Sequence, residues 1–368
     1  MNTHTKRNSV ILGVAFIWFT THFGGGFASG AQLYSYYVKY GIWCLFTPAL
    51  AMLYNAVFFA YCQRFARKHE VYDYRAYNNA FYGRFAPLFS NLIEILYLCV
   101  MCVAPAVAFA TGGATLSALT GLPYLLCTII IGAFIFIVAI FGTDLVRKVA
   151  SVLSILIIAG LLVVYVPNIM ANASVIGDTM KTMTQTSAPL GSALYSAFIY
   201  GTFQLANVAV FVQHAKSFDK PKDAIKSMGI GFVINAFMMI LVALGLMTVC
   251  SRPEMAAQEV PTLFMVQNGV GKSFLTPMIS ILIILGAVST AVNMVAAMVK
   301  RICHTTTNKI SSKIVIAALV CCLVDFGIAQ FGLLTLVQKA YSALAYLAIP
   351  VILIPYVIHM IVTRFDQN

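Results

Sequence analysis

Charge is what this sequence has least of: Asp, Glu, Lys and Arg together make up 9% of 368 residues, and only 11 are acidic. A water-soluble domain is about one quarter charged, so this chain has too little polar surface to cover itself in water. With 61% hydrophobic residues and a mean hydropathy of +0.90, its solvent is lipid. Apolar/polar alternation is also missing, which excludes a membrane β-barrel. No nucleophile–base pair or metal cluster can be read, so neither an enzyme nor a bound cofactor is expected. A cleavable signal is lacking too, because Lys6-Arg7 lead into an apolar run that continues past Gly30 without a cleavage site. Cys99 and Cys102 form a C-x-x-C, but no second pair or histidine cluster joins them, and they read as packing residues.

What is present is a series of long apolar runs. A bilayer core about 30 Å thick takes about 20 helical residues to cross. Ten runs meet that length: 9–38, 41–63, 87–112, 122–142, 147–168, 189–213, 225–250, 273–299, 311–330 and 334–362. The net charge of +12 could suggest nucleic acid, but the basic residues lie in the short loops between runs. With the N-terminus inside, 18 of the 23 fall on the inner side and four (Lys39, Lys181, Arg252, Lys272) on the outer, with Lys339 inside a run. That asymmetry predicts a bacterial-type inner (plasma) membrane protein with both termini cytoplasmic.

The runs divide into two sets of five, residues 1–170 and 171–368, whose members are offset by about 180 to 190 residues throughout. Five is odd, so the second set enters from the opposite side. The expectation is an all-α polytopic protein, one transmembrane domain of ten helices in a 5+5 inverted repeat, with helices 1 and 6 broken near the midplane.

The first run carries Phe23-Gly24-Gly25-Gly26-Phe27-Ala28-Ser29-Gly30. Glycine is a poor helix former and permissive in backbone angle, so this cluster predicts a break whose peptide groups a solute or cation can satisfy. Its repeat partner is Tyr200-Gly201-Thr202-Phe203-Gln204, followed by Asn207. Run 8 carries Gly286, Ser289 and Thr290, then Asn293. Two readings of that hydroxyl pair stay open: a hard-oxygen site for Na+, or hydroxyls bonded to the carbonyl one turn back. The ionizable residues well inside the runs are His22, Glu94, Asp325 and Lys339, each a functional candidate by default. His22 and Glu94 are the proton-coupling candidates; Asp325 and Lys339 are expected to form a structural ion pair. Tyr97, three residues beyond Glu94, is expected to share its cavity.

The stretch Gly24-Gly25-Gly26-Phe27-Ala28-Ser29-Gly30-Ala31-Gln32 resembles the G-x-G-F-A-S-G-x-E signature of the YkvI-like bacterial membrane proteins, relatives of the amino acid–polyamine–organocation superfamily with the leucine-transporter fold. Gln32 stands where those proteins usually carry glutamate. The resemblance implies a Na+ held between the carbonyls of Thr20 and Phe23 and the residues Gly286, Ser289 and Thr290. In some proton-coupled relatives a lysine of the fifth helix fills that place; here run 5 has only Lys148, at its cytoplasmic end.

Together these readings predict a secondary active transporter for a small amino acid or amine-like solute, with Na+ as coupling ion and H+ as the alternative. The solute would lie between Gly24, Gly25, Gly26, Phe27, Ala28, Ser29, Tyr97, Tyr200, Thr202, Phe203, Gln204 and Asn293. A solute-sensing receptor on the same scaffold is the competing class. The expected partners are lipid and solute, not nucleic acid, with the chain as monomer or homodimer.

Overall fold

The computed structural model describes residues 3–141, 143–303 and 311–366. Lys309, counted among the inner basic residues, lies outside them, as do the side chains of Lys6, Arg147 and Lys148. The described residues are helical and contain no strand. Eight helices are long and apolar enough to cross a bilayer, or nine if the bent pair Val38–Leu45 and Thr47–Lys68 is one span. The chain is a multi-pass membrane protein.

The count differs from ten because of the first run. It is not one helix over 9–38 but α1 (Thr3–His22), a one-turn α2 (Gly25–Ala28) and α3 (Ala31–Tyr36). The start of α1 is polar, leaving too little apolar length for it to count as a span alone. The chain continues as α4 (Thr47–Lys68), α5 (Tyr74–Tyr82), α6 (Ala86–Thr120), α7 (Tyr124–Phe141), α8 (Thr143–Ala171) and α9 (Ala173–Thr186). The second half holds α10 (Leu190–Gln204), α11 (Val208–His214), α12 (Lys222–Met247), α13 (Pro261–Gln267), α14 (Lys272–Ile302), α15 (Ser312–Ala329) and α16 (Leu333–Val362).

Glycines set where helices touch. Helix α6 runs past the expected end of the third run because Gly112 and Gly113 remain helical and let α7 approach; a Cβ on Gly112 would lie 2.8 Å from Ile131 Cγ2. Gly201 acts in the same way, and this corrects the expected break in the sixth run. Helix α10 passes through it, because a Cβ there would sit 2.6 Å from Tyr54 Cδ1 of α4. The backbone only tightens, into a 3₁₀ turn at Leu205–Asn207 with right-handed angles throughout. That tightening sends the Leu205 amide to Thr202 and leaves the Gly201 carbonyl to accept from Asn55 Nδ2 at 2.7 Å.

The packing pairs α4 with α12, α6 with α14, α1 with α12, α10 with α4, α6 with α15 and α7 with α14. Near the starts of both helices Arg7 on α1 chelates the buried Asp223 of α12, its Nε 2.9 and 3.0 Å from the carboxylate oxygens.

The break itself is closed by Gly30, whose φ of +80° turns the chain into α3. Ser29 O accepts from the Thr262 amide of α13 at 2.9 Å, and Thr262 Oγ1 meets Tyr165 OH of α8 at 2.7 Å. A Cβ at Gly30 would lie 3.0 Å from the Thr262 nitrogen. Gly30→Ala is therefore expected to destabilise the protein by roughly 1–2 kcal/mol from the left-handed angle alone, more with the clash. Gly13→Ala, whose Cβ meets nothing within 4 Å, is neutral or gains up to about 1 kcal/mol. Melting temperatures of the two variants in one detergent check the contrast.

Candidate functional site

At the break the local hydrogen bonding is nearly self-contained. Phe27 and Ala28 amides donate to Gly24 O at 3.0 and 3.1 Å, and Ser29 Oγ donates to Gly26 O at 2.7 Å. Ser29 Oγ also accepts from the Ala31 amide at 3.2 Å, starting α3. The end of α1 is a different case, since the last carbonyls of a helix lack intrahelical partners. A cavity of about 440 Å³ lies against it. Thr20, Phe23 and Gly24 form one wall; Gly286, Ser289, Thr290 and Asn293 of α14 form another, and Leu153, Ser154 and Ile157 of α8 a third.

The five residues expected to hold a cation are thus gathered around one space, although Thr20 and Thr290 stand 270 residues apart. The hydroxyls are partly engaged: Thr290 Oγ1 donates to Gly286 O at 3.0 Å and Thr20 Oγ1 to Ile17 O at 3.1 Å. Back-bonding of this kind uses the proton and leaves lone pairs on oxygen, so the two readings of the hydroxyl pair are compatible. Gly24 faces Thr290 directly, with a Cβ position 3.3 Å from its Oγ1.

Of the residues expected around a solute, Gly24 and Asn293 line the cavity, and Tyr200 reaches the glycine turn through His22, whose ring packs on Phe27. Phe27 packs on Phe23 with centroids 3.8 Å apart, and His22 stands edge-on to both rings. The others from α10 engage further partners. Thr202 Oγ1 meets Tyr54 OH at 3.2 Å, Phe203 stacks on Tyr341 at 4.2 Å, and Gln204 accepts from Asn207 Nδ2 at 2.8 Å. Tyr97 is not at the break. It lines a separate cavity with Tyr74, Asn78, Ala206 and Tyr356. Helix α6 reaches the break through Val107 and Thr111, which face Gly26; at 1.5 Å per residue Tyr97 is about 15 Å below Val107.

The ionizable candidates separate as well. Glu94 is ion-paired with Arg301 of α14 where both side chains are partly exposed, away from the cavity. Among the described residues no ion pair joins Asp325 to Lys339, contrary to expectation. Asp325 is instead buried on α15, with Cys321 and Cys322 on the same helix. His22 alone reaches the break. Its Nδ1 lies 2.8 Å from Asn235 Oδ1 of α12 and its Nε2 lies 2.6 Å from Tyr200 OH, which in turn lies 2.9 Å from Gln32 Oε1. Asn235 escaped the sequence reading because it is an uncharged residue in a uniformly apolar run; its one signal was being an amide at that depth.

No protein-family model matches the chain, and no curated protein matches it. Among solved structures it is similar to a manganese transporter of Eremococcus coleocola, crystallised with an aromatic bis-isothiourea substituted compound. The identity is 15% over all of this chain and 74% of that one, with a TM-score of 0.44. A likeness this distant carries no argument about fold or cargo.

The closeness of Gly24 to Thr290 predicts energetic coupling. Gly24→Ala should lower the melting temperature, and Thr290→Ala should relieve that loss. A double-mutant cycle should give an interaction energy of about 0.5–3 kcal/mol; additive losses would mean that the two walls do not touch.

Proposed function

We propose that the chain is a secondary active transporter that moves a small amino acid or amine-like solute by alternating access, with Na+ as the coupling ion. The observation that carries this reading is the placement of the helix break at Phe23–Gly24 opposite Ser289 and Thr290 across a shared cavity. Hard cations take oxygen ligands, and helix-end carbonyls with two hydroxyls are such a set. At about 440 Å³ the space also exceeds what a bare ion needs and falls in the range of small-molecule sites. The helix break, with its amides and aromatic rings, suits a solute with a carboxylate and an ammonium group.

A 5+5 inverted repeat accounts for the packing. Exchanging the first and second sets of five turns the α1–α12 contact into α10–α4, and the α6–α15 contact into α14–α7, and all four are present. It also supplies the movement, since repeats of this kind rock about a central site. Parting α1 from α12 would open the inner side, and the Arg7–Asp223 pair ties those two helices where the inner end closes. The excess of basic residues in the loops of one side supports cytoplasmic termini in a bacterial-type membrane. Proton coupling is the second reading, favoured by the His22–Tyr200–Gln32 contacts.

Purified protein in liposomes should take up a labelled amino acid or amine when an inward Na+ gradient is imposed. Ser289→Ala combined with Thr290→Ala should weaken Na+ dependence by at least about tenfold, the scale on which lost ligand support lowers metal affinity. Unchanged Na+ dependence would place the ion elsewhere. Solute binding without flux in any gradient would make the chain a receptor.

A further inference from the structure

The end of α4 and the start of α12 leave a groove of about 190 Å³ between them. Val57, Ala60, Tyr61 and Arg64 of α4, Ile225 of α12 and Phe365 line it. Val57, Ile225 and Phe365 are each about half exposed, so the groove opens outward to the lipid. Arg64 follows Val57 by two turns on the same face of α4, about 10 Å along the helix and one turn before its end. The last turn of a membrane helix lies at headgroup level, where basic side chains reach lipid phosphates. An apolar track thus ends at a guanidinium.

Arg64 carries a charge that the protein does not neutralise. Among the described residues it makes no ion pair, and its Nη2 donates to a neutral carbonyl, Asp366 O, at 3.3 Å. The carboxylates of the flanking segments are already matched, Asp223 by Arg7 and Asp366 by Lys68, with His69 beside it. Lys222 is exposed one turn before Ile225 on the same side of α12, and adds a second positive charge at that end.

A strained turn forms the far wall. Arg364, Phe365 and Asp366 have φ of +49°, +58° and +56°, a left-handed run that residues with a Cβ resist. It is held because Asp366 O also accepts from Lys68 Nζ at 2.9 Å and the Asp366 amide donates to Thr363 Oγ1 at 3.0 Å. The turn brings the Phe365 ring edge-on to Tyr61, with centroids 6.2 Å apart, and so closes one side of the groove.

We propose that this groove binds one anionic phospholipid from the leaflet that meets the end of α4. The phosphate sits on Arg64, whose planar fork matches two phosphate oxygens, and Lys222 adds attraction. One acyl chain runs along Val57, Ile225 and Phe365. A zwitterionic lipid brings an ammonium group toward the same cations and is disfavoured. A free anion satisfies Arg64 but leaves the apolar track uncovered. A second copy of the chain needs roughly 20–30 residues a side, far more than this groove presents. The bound lipid joins α4, α12 and the turn after α16. On the topology proposed above its leaflet is the cytoplasmic one; the site depends neither on that orientation nor on transport.

The test is native mass spectrometry and thermal melting of the full chain, purified and delipidated in a neutral detergent. Phosphatidylglycerol, phosphatidylcholine and inorganic phosphate are added separately. One phosphatidylglycerol should be retained under conditions that strip phosphatidylcholine, and it should raise the melting temperature. Arg64→Gln should weaken retention about fivefold, the scale of one basic charge at a membrane surface. Val57→Trp fills the exposed track without changing charge and should displace the lipid. Lys313→Gln, on α15 outside the groove, should change nothing. Equal retention of the two lipids would overturn the proposal, as would equal stabilisation by phosphate. So would wild-type retention in Arg64→Gln or Val57→Trp, or a loss in Lys313→Gln as large as in Arg64→Gln. If Arg64→Gln does not fold, Val57→Trp and the wild-type comparison of lipids decide.

Discussion

Peptide groups in the middle of a membrane have no water to fall back on, and each must find a partner within the protein or its ligand. Helices α1, α2 and α3 break that continuity at Phe23–Gly24 and again at Ser29–Gly30, and much of the molecule is arranged around the exposed ends. Ser29 folds onto Gly26, Thr262 of α13 caps the Ser29 carbonyl, and Tyr165 of α8 holds Thr262 in place. Only the end of α1 opens on a cavity, and there the facing helix presents hydroxyls. The break is tolerable because its backbone is enclosed by protein or faces polar side chains.

The same constraint accounts for the buried polar chain beside it. His22, Tyr200, Gln32 and Asn235 come from four helical segments, and each is buried. In lipid such groups are costly unless paired, and here every contact is 2.6 to 2.9 Å long.

The glycines show how far local reading extends. Gly24 to Gly30 read as a break because several poor helix formers stand together, and the chain does break there. Gly201 was read as a break by symmetry with them, yet it is a contact glycine that admits the ring of Tyr54. A lone glycine among polar neighbours fits either use, and the deciding atom lies on another helix. Tyr97 and Glu94 illustrate the same point along one helix. They lie on α6, which does reach the break, but several turns too early, where Tyr74 and Arg301 engage them instead.

Composition and the length of apolar runs by themselves determined that the chain lives in a membrane, is all helical and breaks within its first run, because those properties are sums over neighbouring residues. The hydroxyls of Ser289 and Thr290 and the depth of His22 were also visible, as polar atoms where lipid rejects them. Which polar groups meet was decided only by the tertiary structure. Thr290 finds Gly24, Asn235 finds His22 and Arg301 finds Glu94 over separations of 207 residues or more, and helical periodicity carries no information over such distances. The pairings depend on how helices rotate and slide against one another, which is set by the shapes of their packed faces.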